Sequence, residues 1–260
     1  MKKIWNALSV EFLKTRKSKI LLITIIVFTF VPLMMGLMVF VARNPEIAGK
    51  MGMVGTKAKM FGENDWPGFF AMLSQTIASI GLVGFGFVTS WVFGREHTDR
   101  TMKDILALPV ARSSIVLAKF VVAFLWCILL ALILFVVGIS IGQLMHIPGW
   151  SAGLFSQFSS NYFSTALLTL LLCTPVAWLA GYSRSIIAPL GLVILTMIMA
   201  QFAGLIGLGP YLPWAIPGLF SVARDTPGFQ LHFASYVILA FTFILGYWAT
   251  LRWWRKADHH

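Results

Sequence analysis

Five runs of uncharged residues decide what this chain can become. They cover residues 20–42, 66–94, 120–183, 185–223 and 226–251, with lengths of 23, 29, 64, 39 and 26 residues. A helix that crosses about 30 Å of hydrocarbon at about 1.5 Å per residue needs roughly 20 residues. Every run holds at least one such helix, and the 64-residue run must turn back once. His146-Ile147-Pro148-Gly149-Trp150-Ser151 carries the proline and glycine that such a turn needs. The 39-residue run fits one span and then a proline-rich segment. The expected fold is an all-α membrane protein with six spans, at about 20–42, 67–93, 115–141, 160–182, 186–208 and 231–251. Residues 1–19 form a cytoplasmic amphipathic helix, residues 20–258 the transmembrane domain, and His259-His260 are read as the remnant of a purification tag.

Charge placement argues for topology rather than for a polynucleotide partner. With 58% hydrophobic and 11% charged residues, a soluble domain is excluded. The net charge of +11 is unevenly distributed: 15 of the 20 Lys and Arg fall on the side of the N-terminus. By the positive-inside rule both termini are cytoplasmic, and the basic excess suits anionic lipid headgroups, not nucleic acid. Cys127 and Cys173 fall inside predicted spans, so no disulfide framework is expected. The N-terminus does not resemble a secretory signal, because its apolar core is too long and a charged helix precedes it.

In the N-terminal helix Ile4, Trp5, Leu8 and Phe12 share an arc surrounded by lysines, which fits an interfacial anchor or a helix that also touches a cytoplasmic ATPase. Pro32 should kink the first span or mark a close helix contact. Residues 42–65 show no ligand pattern. The second span carries Ser74, Gln75 and Ser79 with Gly81, Gly84 and Gly86, a pattern of helix contact in lipid, with a substrate-lining role for Gln75 as the alternative. Gly138 and Gly142 form a GxxxG. Pro175 follows Cys173 and Thr174 in the fourth span, and Ser183-Arg184-Ser185 alone separates it from the fifth. Pro210, Pro213, Pro217 and Pro227 break the apolar segment before the sixth span into half-inserted outer helices. Arg252-Trp253-Trp254-Arg255-Lys256 closes that span with interfacial aromatics and cations. Gln75, Ser79, Asn161, Thr174 and Gln201 are the candidate substrate path.

No ionisable residue lies mid-span, which disfavours a proton- or ion-coupled carrier. His97, His146 and His232 have no metal-site spacing, and no paired-carboxylate, Ser/His/Asp or Cys/His arrangement is present. The chain also lacks a GxxxxGK[ST] loop, so any ATP hydrolysis must occur elsewhere.

The remaining feature is the mixed-charge insert Gly94–Lys119, GREHTDRTMKDILALPVARSSIVLAK. Met102, Ile105 and Leu106 fall on one helical face, and Pro109 ends that helix. Glu96, Thr101, Leu106, Leu108, Pro109, Val110, Arg112 and Lys119 give the insert a pattern that resembles the cytoplasmic signature of type-two ATP-binding-cassette permeases. Arg100 departs from it, standing where many relatives have glycine. The likeness extends to the N-terminal helix, the six spans and the broken segment before the last.

That resemblance implies a coupling helix docked on a separate nucleotide-binding ATPase subunit, contributed by Arg95, Glu96, Asp99, Arg100, Thr101, Met102, Asp104, Ile105 and Leu106. It further implies no cofactor in this chain, ATP and Mg in the partner, a second permease chain (identical or homologous), and a bacterial cell membrane. The branch it looks most like contains bacitracin- and lantibiotic-resistance permeases, whose substrates are amphipathic. A sodium-exporting branch shares the architecture. The expected function is an exporter permease for a hydrophobic or amphipathic compound, with a sodium exporter, a non-transporting scaffold or sensor, and a secondary carrier as rivals.

Overall fold

The computed structural model describes residues 2–50, 65–99, 101, 111–222 and 231–256. It contains α1 (Lys2–Arg16), α2 (Lys19–Arg43), α3 (Pro45–Lys50), α4 (Trp66–Thr98), α5 (Arg112–Leu144), α6 (Ala152–Leu171), α7 (Thr174–Ser183), α8 (Ile187–Leu205), α9 (Ile216–Val222) and α10 (Phe233–Lys256). Among the described residues six segments are long and apolar enough to cross a membrane: α2, α4, α5, α6 with α7, α8 and α10.

Helix α4 is the centre of the bundle. Its apolar window is 61% buried, against 22% for α8 and α10, and it packs against α5, α6, α7, α8 and α9. Asp65 starts it, its carboxylate accepting from the Gly68 amide at 2.9 Å, with Pro67 in the first turn where no donor is needed. Gly138 and Gly142 let α5 approach closely. A Cβ at these positions would lie 2.6 Å from Leu73 and from Trp66 of α4. Helix α2 lies on α5, where the Trp126 indole donates to Thr24 Oγ1 at 3.1 Å. It stays helical through Pro32, which is buried.

The turn expected between the third and fourth spans is present, with His146 at φ 49° and Gly149 at φ 89°. Ser151 then opens α6, accepting from the Leu154 amide. The fourth span, expected at about 160–182, is built from two helices. It begins at Ala152, stops at Leu171 and resumes at Thr174. The break coincides with Pro175 in the first turn of α7, which supplies no amide to the preceding turn. Thr174 Oγ1 donates to Leu171 O and to Phe243 O of α10. Gly246 brings α10 onto this point: a Cβ there would sit 2.5 Å from the Pro175 nitrogen. Arg184, left-handed at φ 51°, reverses the chain into α8. The proline-rich segment forms two 3-10 turns, Gly209–Tyr211 and Pro213–Ala215, and then α9, which packs on α4 and α6.

Candidate functional site

Two polar regions stand out in this apolar bundle. The first is a cluster of charges where α1, α4 and α5 meet. Lys119, in the second turn of α5, is fully buried, as are Glu11, Arg95 and Glu96. Lys119 Nζ donates to Glu96 Oε1 at 2.5 Å, Glu11 Oε2 at 3.3 Å and the Val92 carbonyl at 3.0 Å. Arg95 donates to Glu11 Oε2 at 3.0 Å, and its guanidinium lies 4.5 Å over the Trp91 ring. Lys14 reaches Glu11 at 3.3 Å and Glu96 at 3.7 Å. Trp254 of α10 lies beneath Lys119 at 5.9 Å. Charges taken out of water are costly unless paired and hydrogen-bonded, and here each carboxylate faces three cations. Burial raises the Glu11 pKa, but Lys119, Lys14 and Arg95 outweigh it and hold the carboxyl below its ordinary value of 4.5. The Glu96 Oε2 atom is buried with no hydrogen-bond partner among the described residues.

The cluster revises the sequence picture of the insert. Arg95 and Glu96 do not stand on a separate helix; they are the last buried residues of α4. Asp99 caps α4, and the Thr101 amide donates to the Glu96 carbonyl at 3.0 Å. Arg100, Met102, Asp104, Ile105 and Leu106 lie outside the described residues. In α1, Glu11 and Thr15 face the bundle while Trp5 and Phe12 are exposed and Leu8 is half-buried; the Ile4 side chain lies outside the described residues. Sequence reasoning missed Glu11, and it named Lys119 as part of the insert's signature but not as a site residue. Glu11 had one available signal: it is the only acidic residue before Glu46, in a segment with six cations.

The second region is a half-open cavity of about 360 Å³ between α4, α8, α9 and the 3-10 turns. It gathers three of the five candidate path residues, Gln75 and Ser79 from α4 and Gln201 from α8, among mostly apolar walls. Gln75 and Ser79 are one turn apart on the same helical face. The Ser79 hydroxyl donates to the Gln75 carbonyl at 2.9 Å, whereas both glutamine amides are exposed and form no hydrogen bond with another described residue. Trp214 also lines the cavity, and its buried Nε1 has no hydrogen-bond partner among the described residues. The other two path residues are placed elsewhere. Asn161 is buried in α6, donating to the Ser221 carbonyl of α9 at 3.1 Å, and Thr174 is bonded at the α6–α7 break.

Comparison with known proteins gives this architecture a family. Over 184 residues the chain is 24% identical to the bacitracin transport permease protein BCRB of Bacillus licheniformis, covering 70% of this chain and 86% of that protein. The profile of the ABC-2 family transporter proteins matches residues 7–201, which include most of α1, the charge cluster, and most of the α4 and α8 walls of the cavity. The chain therefore belongs to the ABC-2 transporter family, as a membrane-spanning permease.

Proposed function

We propose that this permease works with a separate ATPase subunit to move a hydrophobic or amphipathic compound out of the cell membrane. The observation that carries the reading is the cavity beside α8. Its lining holds two amides and an indole N–H that have no hydrogen-bond partner among the described residues, set among apolar side chains with no ionisable residue in the lining. Such a surface suits a molecule with an apolar body and a few polar groups. Sodium would instead need several oxygens converging on one point, and the side chains of this lining offer three, from Gln75, Ser79 and Gln201, among otherwise apolar walls.

The half-open side of the cavity is where a second permease chain, identical or homologous, closes the path. Residues 102–110 connect α4, which carries Glu96, to α5, which carries Lys119, so a push from the ATPase on that connection is passed to the charge cluster. Arg95, Glu96, Asp99 and Thr101 then transmit the push more than they bind the partner, and Trp5, Leu8 and Phe12 of α1 rest in the cytoplasmic headgroup layer. ATP and Mg belong to the partner, and both termini are cytoplasmic.

The test is purification of the chain from its native membrane in mild detergent, then ATPase and transport assays on the reconstituted complex. A stoichiometric ATPase subunit is expected, with hydrolysis stimulated by amphipathic peptides such as bacitracin. Glu96→Ala should lower that stimulation several-fold in a folded complex. Transport that persists under vanadate, or no ATPase subunit in several detergents, would overturn the reading.

A further inference from the structure

On the outer side of α10, away from Trp254, the chain forms a groove that the transport reading does not use. It lies between the ends of α7 and α10 and has a volume of about 430 Å³. Trp178 and Tyr182 form one wall, their rings 5.6 Å apart and 22° from parallel. Trp248, Arg252 and Lys256, spaced one turn apart on α10, form the other. The Arg252 guanidinium lies 5.0 Å over the Trp248 ring. A second hollow of about 210 Å³ opens on the far side of the same ridge and is also bordered by Leu251 and Arg255.

The chemistry of this place is one-sided. Arg252, Arg255 and Lys256 are exposed and make no ion pair among the described residues, and no acidic residue lines either hollow. The buried cations on the inner side of the same helix end, by contrast, are fully matched by carboxylates. The rings of Trp178, Tyr182 and Trp248 are 37%, 62% and 52% exposed, large amphipathic surfaces at the level where the spans end. The ridge is held in place from behind: Arg112 of α5 donates to the Trp254 and Arg255 carbonyls at 3.4 and 3.2 Å, and Trp254 is buried. Along α10 the ridge continues into the exposed apolar side chains Phe241, Ile244 and Leu245.

We infer that the α7–α10 groove binds an anionic phospholipid, its phosphate resting on Arg252 and Lys256 and its acyl chains lying in the two hollows. A guanidinium offers a planar fork of donors to phosphate, and an ammonium adds a point charge beside it. A zwitterionic phospholipid brings its own cation against the same ridge and binds less well. A free phosphate would leave both hollows unfilled.

The experiment is native mass spectrometry of the purified full-length chain with equimolar phosphatidylglycerol and phosphatidylcholine of identical acyl chains. Surface cations contribute enough that roughly tenfold retention of phosphatidylglycerol over phosphatidylcholine is expected. Arg252→Gln with Lys256→Gln should bring the two lipids level, and Arg252→Gln alone, at an exposed position that folding does not need, should lower the ratio several-fold. Trp248→Leu keeps every charge and should reduce retention of both lipids. Equal retention by the unaltered chain, or a ratio that Arg252→Gln leaves untouched, would overturn the site. Loss of the preference in excess inorganic phosphate would assign the ridge to a free oxyanion instead. Cross-linking between copies through a cysteine introduced at Tyr182 would assign the groove to a second copy; both results count against the lipid.

Discussion

At the C-terminal end of α4, Glu11, Arg95, Glu96 and Lys119 are shut away from solvent and bonded to one another; further along the same helix, Gln75 is exposed and its amide forms no hydrogen bond with another described residue. Both are polar insertions into a helix that is otherwise the apolar heart of the bundle. Apart from the Glu96 Oε2 atom, the cluster is satisfied by partners from three helices, so its geometry is strongly specified and movement of one helix must carry the others. In the cavity the Gln75 and Gln201 amides and the Trp214 indole N–H have no hydrogen-bond partner among the described residues, so it can accept a guest without first breaking those groups' contacts. One helix thus carries a rigid joint and an open receptacle about five turns apart.

The sharpest way to break this contrast is Lys119→Met. It strands two buried carboxylates with fewer cations, and removing one member of a buried ion network costs about 3–5 kcal/mol. A large fall in the thermal unfolding midpoint in detergent is expected. The double variant Glu11→Gln with Lys119→Met should lose less than the sum of the two single changes, because they share one network. Gly246→Ala should cost about 1–3 kcal/mol by forcing α10 away from Thr174 and Pro175, and it should loosen the α6–α7 break in hydrogen exchange. Acid should act more gently. Because the folded Glu11 pKa lies below 4.5, its contribution is complete above that value and is lost as pH falls through the folded pKa. Amide exchange in α1 should therefore rise below about pH 4.5 while α4 stays protected. The smallest stability effect is expected at the receptacle: Gln75→Leu with Gln201→Leu should shift stability by about 0.5 kcal/mol or less, yet abolish most substrate-stimulated ATP hydrolysis. A large loss of stability there would mean that the amides are structural and that the contrast is wrong.

Much of the architecture was legible because hydrocarbon imposes a length on every span, and the charge-free runs carry that length openly. The turn at residues 146–151 was legible for a related reason, since Pro148 and Gly149 interrupt a run too long for one crossing. The break at Leu172–Cys173 was hidden. A proline within a span is compatible with a kink, a stop or a continuous helix, and what decides is the Thr174–Phe243 bond across 69 positions. The cavity was half legible: Gln75 and Ser79 lie one turn apart, but Asn161 and Thr174 look equally polar in sequence and prove to be bonded into the fold. The charge cluster was least legible. Its Arg95–Glu11 and Lys119–Glu11 contacts join residues 84 and 108 positions apart. Lys119 lies within the expected third span of about 115–141, but only the fold shows it buried two turns inside α5 and paired with Glu11 and Glu96.

The first turns of α5 receive both ends of the chain. Lys119 takes Glu11 from the first helix, and Arg112 takes the terminal carbonyls of the last. A ribosome delivers these elements in order, so α1 and α5 are in the membrane well before α10 exists. The Arg112 contacts wait for the final residues to emerge, and the buried Trp254 side chain beside Lys119 arrives only then. Until α10 is made, that side of the joint lacks the Trp254 side chain and the carbonyls that Arg112 holds; its arrival is therefore what closes the joint.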